Sequence, residues 1–143
     1  EPYSDRDWDE KSKKYAAMIH RLDRDVGRIM SLVNELQLRE RTLIIFTSDN
    51  GGHRGVPAQL HTNGPLRGYK RDLTEGGIRV PFIARWTGTI PAGKVSNEVI
   101  AFQDMLPTFA ELAGIEKSPT FQGRGRTGSR RSGWRLHTVG LAR

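Results

Sequence analysis

The chain has 143 residues, enough for one ordinary domain and hardly for two. It contains no cysteine, which excludes a disulfide scaffold, a thiolate metal site and a cysteine nucleophile within it, and leaves the redox compartment undecided. The net charge of +7 is unevenly placed: residues 1–116 carry sixteen basic and sixteen acidic side chains, whereas the last 27 carry seven basic and no acidic ones.

A hydrophobic content of 36% predicts a small core. No apolar run approaches the ~20 residues of a membrane span, and no membrane association is expected. The opening Glu1-Pro2-Tyr3-Ser4-Asp5 is not a signal peptide and has no initiator Met, so the numbering is expected to start inside a longer protein.

The first predicted element is a long helix over about residues 10–38. Tyr15, Met18, Ile19, Leu22, Val26, Ile29, Met30, Val33 and Leu36 recur on one face of a 3.6-residue period. Asp7 with Glu10 three residues on resembles a capping box, and Arg21 and Asp25 stand four apart on the polar face. Thr42–Thr47 follows as a short β-branched run, the pattern of a strand covered on both faces. Helix then covered strand predicts an α/β unit with a parallel sheet.

Residues 51–77 are rich in Gly and Pro without a sustained period and read as a long loop. Glu75-Gly76-Gly77 reads as a turn into the next strand. That strand is expected over Ile78–Trp86, with Pro81 at its start or on an edge. A third short strand is expected at Val95–Ile100. A helix capped by Asp104 should run through Ala113, with Leu106, Phe109 and Leu112 inward and Gly114 as its stop. Beyond Glu116 the pattern dissolves into Gly interleaved with Arg and Ser, a composition expected to be disordered or non-native.

Chemistry concentrates after the first strand. Asp49 and Asn50 pair a carboxylate with an amide oxygen, hard donors suited to Ca²⁺ or Mg²⁺. They lie where open α/β sheets bind ligands, beyond a strand's carboxyl end. Asp-Asn-Gly-Gly is also ordinary turn chemistry, and both readings stand. Lys70, in Gly64-Pro65-Leu66-Arg67-Gly68-Tyr69-Lys70, can offer a point charge to a tetrahedral oxyanion or simply be solvated. His53 and His61 flank the same loop as possible ligands, acid–base groups or surface histidines.

Three stretches together resemble the sulfatase family: Thr47-Ser48-Asp49-Asn50-Gly51-Gly52, Gly64–Lys70, and Glu75-Gly76-Gly77-Ile78-Arg79-Val80-Pro81-Phe82 through Trp86. The helix from Tyr15 to Ile29 and the run Gln103-Asp104-Met105-Leu106-Pro107 through Gly114 are similar to the same family. The likeness covers about residues 1–122 in order, so a partial catalytic domain is expected at 1–122 and a basic Gly/Arg-rich tail at 123–143.

The resemblance implies an alkaline-phosphatase-like α/β fold with a mixed or parallel sheet, and hydrolysis of sulfate esters or sulfamates. It also implies bound Ca²⁺ and a formylglycine nucleophile. On the matching positions, Asp49 and Asn50 would be metal ligands and Lys70 a sulfate-binding residue. The family's nucleophile motif, Cys or Ser followed by x-Pro-x-Arg, occurs nowhere in these 143 residues, and neither does its early paired-Asp motif. Both are expected in a preceding half, so no catalytic nucleophile is assigned and the isolated chain is expected to be inactive. The abrupt end of the likeness at Gln122 is expected from a reading-frame change or a truncation.

The expected partner is a small-molecule or carbohydrate sulfate ester, and a periplasmic or secreted location is expected for the full-length parent. Two other readings were weighed: a metal-dependent phosphodiesterase of the same superfamily, against which the Glu-Gly-Gly-Ile-Arg-Val-Pro run speaks, and a basic module binding nucleic acid or another polyanion. No aromatic platform except Trp134 interleaves the basic tail, so nucleic acid is not the expected partner.

Overall fold

The structure is a computed structural model and describes residues 2–115. The Gly/Arg-rich tail expected at 123–143 lies outside the described residues.

Helix α1 spans Glu10–Glu35, strand β1 Ile44–Thr47, helix α2 Glu75–Ile78, strand β2 Phe82–Arg85 and helix α3 Met105–Leu112. Short 3₁₀ turns lie at Ala58–Leu60 and Phe102–Asp104.

The α1 start is one turn of capping chemistry, but its centre is Asp9 rather than the expected Asp7. Asp9 accepts Ser12 N–H at Oδ1 (2.9 Å) and Ser12 Oγ–H at Oδ2 (2.6 Å). Ser12 is fully buried. Gln59 Nε2 donates to both Asp9 Oδ2 (3.0 Å) and Ser12 Oγ (2.6 Å), pinning the distant 3₁₀ turn to the helix start. The Ser12 hydroxyl, and after it the Ser12 N–H, hold the Asp9 carboxyl below its ordinary value. Before the helix, Tyr3 stacks on Trp8 at 5.9 Å between ring centres. On the polar face, Asp25 pairs with Arg24 (2.9 Å) and Arg28 (3.6 Å) rather than with Arg21.

Strands β1 and β2 pair antiparallel, with Ile44 opposite Arg85 and Thr47 opposite Phe82. This corrects the expected parallel pairing. A βαβ crossover usually carries the chain over the sheet on an α-helix. Between β1 and β2 the chain forms instead a folded loop with only one turn of helix, α2. The turn expected at Glu75-Gly76-Gly77 is that helix, and β2 starts only after Pro81, which cannot donate to the ladder. No strand forms at 95–100 among the described residues; Val95 and Val99 are exposed.

A narrow crevice shared by Val33, Ile44 and Arg85 sets the end of α1 against one face of the ladder. An open groove of about 480 Å³ between Leu43, Ile45, Trp86, Phe109 and Leu112 lies on the α3 side. Helices and a two-stranded antiparallel ladder make the class mixed α/β. Trp86 Nε1–H donates to Glu40 O (2.7 Å), fastening the end of β2 to the α1–β1 connection. At α3, Asp104 turns its carboxylate back to accept Ala101 N–H (2.8 Å). Its side chain does not cap α3, as the sequence suggests, because the preceding 3₁₀ turn already uses it.

The small core expected from composition is smaller still. Among the described residues Ala84 is the one buried hydrophobic side chain, while Met18, Leu22, Ile29, Leu32, Leu106 and Phe109 are exposed.

Candidate functional site

The loop between β1 and β2 folds into a cluster that joins the three sequence motifs through their backbones. Gly51 N–H donates to Gly77 O (3.0 Å), linking the Asp49-Asn50-Gly51-Gly52 turn to Glu75-Gly76-Gly77. Lys70 N–H donates to Gly52 O (2.9 Å), linking the same turn to the lysine loop. Gly76 N–H donates to Arg67 O (2.7 Å), closing the third side. The backbone therefore ties the segment bearing Lys70 to the turn bearing Asp49 and Asn50.

Two residue types make this possible. Gly51 and Gly76 approach so closely that a Cβ on Gly51 would fall on the Gly76 carbonyl, and one on Gly76 would fall on the carbonyls of Gly68 and Arg67. Asn63 supplies the bridge that sequence reading missed. Its Oδ1 accepts Gly52 N–H and its Nδ2 donates to Gly68 O, both at 2.8 Å. Asn63-Gly64 is a turn dipeptide, which is the signal that could have flagged it. Thr74 caps α2 only through its backbone; its hydroxyl instead donates to Arg67 O (2.8 Å).

The side chains that carry charge stay outside this wiring. Asp49 and Lys70 are exposed and Asn50 is half-buried. Among the described residues none of the three side chains has a hydrogen-bond or ion-pair partner, and the Asn50 carbonyl accepts Ser48 Oγ–H (3.1 Å). The histidines separate from the cluster. His53 Nδ1 accepts Gly55 N–H (2.8 Å) within its own turn, and His61 caps the 3₁₀ turn with φ 41°. Asp72 accepts Tyr69 N–H (2.9 Å) and faces Arg54 Nη2 at 3.6 Å, while the Arg54 guanidinium lies 5.4 Å from the centre of the Tyr69 ring.

A family model, described as Sulfatase, matches residues 2–115. The chain belongs to the sulfatase family. It is 41% identical over 103 residues to N-acetylgalactosamine-6-sulfatase of Canis lupus familiaris, covering 71% of this chain and 20% of that relative. Steryl-sulfatase of Homo sapiens is 40% identical over 119 residues, with 78% and 20% covered. Among solved structures, Ps i-CgsB in complex with k-i-k-neocarrahexaose superposes with a TM-score of 0.69 at 36% identity, covering 78% of this chain and 24% of that one. This sulfatase sequence thus spans about a fifth of the length of the curated relatives it matches.

The Ca²⁺ that the family implies would need hard oxygen donors. Asp49 and Asn50 fit in kind, being hard oxygen donors on adjacent residues, but Ca²⁺ takes six to eight oxygens. No group of three or more His, Cys, Asp or Glu side chains that could hold a metal occurs among the described residues. These two side chains alone do not make up a Ca²⁺ coordination shell. No helix among the described residues is long and apolar enough to cross a membrane.

Proposed function

We propose that this chain carries the metal-ligand and sulfate-binding part of a sulfuric-ester hydrolase site. The observation that supports it is the hydrogen bond from Lys70 N–H to Gly52 O, which ties the candidate sulfate-binding residue to the turn bearing Asp49 and Asn50. In this reading Asp49 and Asn50 hold Ca²⁺ through their side-chain oxygens. The ion supplies positive charge at the sulfate, and Lys70 adds a second point charge on the sulfate oxygens.

The substrate proposed is a sulfate ester on a saccharide, in keeping with the N-acetylgalactosamine-6-sulfatase relative and with the oligosaccharide in the Ps i-CgsB complex. The formylglycine nucleophile would be contributed by sequence outside these 143 residues, since Cys/Ser-x-Pro-x-Arg does not occur within them.

Calorimetric titration of the chain with Ca²⁺ tests the metal assignment. Two protein oxygens and one negative charge should give binding on the order of millimolar or weaker, at the loose end of protein calcium sites. Asp49→Ala should remove it. Micromolar affinity would show a larger ligand set than Asp49 and Asn50, with His53, His61 and Asp72 the residues to substitute next. The chain alone should not hydrolyse an aryl sulfate; metal-dependent turnover lost in Lys70→Ala would overturn the assignment of the nucleophile elsewhere.

A further inference from the structure

The turn that presents Lys70 is built against its own backbone preferences. Asp72 N–H donates to Tyr69 O (2.8 Å), closing a four-residue turn with Lys70 and Arg71 at its centre. Arg71 has φ 84°, the value a type II turn requires at its third residue and one that strongly favours glycine. Where the same loop needs positive φ elsewhere, the chain uses glycine at 64 and 68 and, at 61 (φ 41°), histidine, a residue type enriched in the left-handed region. At Arg71 it keeps a long cationic side chain in a conformation that a residue with a Cβ rarely adopts. Strain of this kind clusters at active sites and ligand clamps, where it is part of the work the residue does.

The surroundings say what that work is. Asp72 is committed to Tyr69 N–H and to Arg54, and Glu75 to Arg79 Nε (3.0 Å). Arg71 is exposed, and among the described residues no hydrogen bond or ion pair engages its guanidinium. It directly follows Lys70, likewise exposed and unpaired among the described residues. One turn therefore presents two neighbouring cations of different kinds. An ammonium offers a compact point charge to one anionic group; a guanidinium fork can grip a second with two parallel hydrogen bonds.

We propose that Arg71 is a specificity residue that binds a second anionic substituent of the substrate, a sulfate or carboxylate near the one held by Lys70. The substrate class is then a saccharide bearing at least two anionic groups. This rests on the reading of Lys70 as the sulfate-binding residue.

The test is a titration of the 143-residue chain, with Ca²⁺ at low salt, followed by NMR shifts of the Lys70 and Asp72 amides. The probes are a monosulfated galactoside and the same galactoside with a second sulfate. The unsubstituted chain should bind the disulfated probe about tenfold more tightly, the equivalent of one charge-assisted contact. Arg71→Gly, which relieves the turn and so should fold at least as well, should bring the disulfated affinity down to the monosulfated one and leave the latter unchanged. Arg28→Gln, on the exposed face of α1, removes the same charge and should preserve the preference.

A tenfold preference that survives Arg71→Gly overturns the proposal, as does an equal loss for both probes, which would make Arg71 structural. Monosulfate binding that is lost in Lys70→Ala, with no preference for the second sulfate, overturns this proposal and leaves the sulfate site standing. No binding of either probe overturns both.

Discussion

The loop cluster at 48–77 and the helix α1 are held in opposite ways. The loop has almost no regular structure, yet its motifs are tied by backbone hydrogen bonds between residues up to 26 positions apart, at glycines with no room for a side chain. The 26-residue α1 is regular throughout, yet Met18, Ile19, Leu22, Ile29, Leu32 and Leu36 are exposed along it. Regular hydrogen bonding satisfies a helix locally, whereas its apolar face is stabilised only by another apolar surface. The candidate site is thus wired within one stretch of chain, while the body leaves large apolar area open to further polypeptide.

Alanine at two glycines should expose that contrast most sharply. Gly51→Ala forces a methyl group onto the Gly76 carbonyl and should destabilise the cluster by about 3 kcal/mol or more. Gly27→Ala, in α1 with nothing near its Cβ position, should stabilise the helix by about 0.5–1 kcal/mol. Amide exchange at Gly51 and Gly77 against that of mid-helix amides measures both. A neutral Gly51→Ala would mean that the loop is looser than its hydrogen bonds indicate.

Asn63→Ala comes next. It leaves Gly52 N–H and Gly68 O without their partner, a loss of about 1–3 kcal/mol, so exchange at the Gly52 amide should accelerate roughly 10- to 100-fold. Unchanged exchange would show that water substitutes fully for the side chain.

Asp9→Ala acts on the helix side and should lower helix content by removing the N-cap. Its pH dependence has a definite sign. The Asp9 carboxyl is lowered in the folded chain by the Ser12 hydroxyl and N–H, so its contribution is complete above the ordinary carboxylate value and fades as the pH falls through the lowered one. The difference in helix content between the parent chain and Asp9→Ala should therefore close in strong acid. A gap that persists at pH 2 would assign the cap's worth to packing around buried Ser12.

The smallest effect belongs to Leu73→Ser. Leu73 is 95% exposed, and its replacement should change stability by less than about 0.5 kcal/mol even though it lies within the loop cluster. A loss above 1 kcal/mol would show that side-chain packing also holds the cluster.

Where local rules suffice, the sequence was legible. The 3.6-residue period placed α1 almost residue for residue, with the true end at Glu35 rather than 38, and the β-branched run placed β1, shortened to Ile44–Thr47. The strand expected at Ile78–Trp86 is cut back to Phe82–Arg85, beginning just after Pro81. Capping was read one motif too early because Asp7 and Asp9 offer the same carboxylate. The bonds from Ser12 single out Asp9, and Gln59, 47 residues beyond Ser12, fastens the pair. Val95–Ile100 reads as a strand by composition but has no neighbouring strand to pair with among the described residues.

The sequence by itself determined the elements whose hydrogen bonds close within a few residues, and the identities of Asp49, Asn50 and Lys70 as charge and donor groups. Only the tertiary structure decided the antiparallel pairing of β1 with β2, the Asn63 bridge and the closure of three separated motifs onto one cluster. It also decided that Arg71 stands at positive φ beside Lys70. The physical reason is that a backbone donor or a close glycine approach carries no side-chain signature. Composition and period report what a residue is, and which distant carbonyl its amide meets is settled by the path of the whole loop.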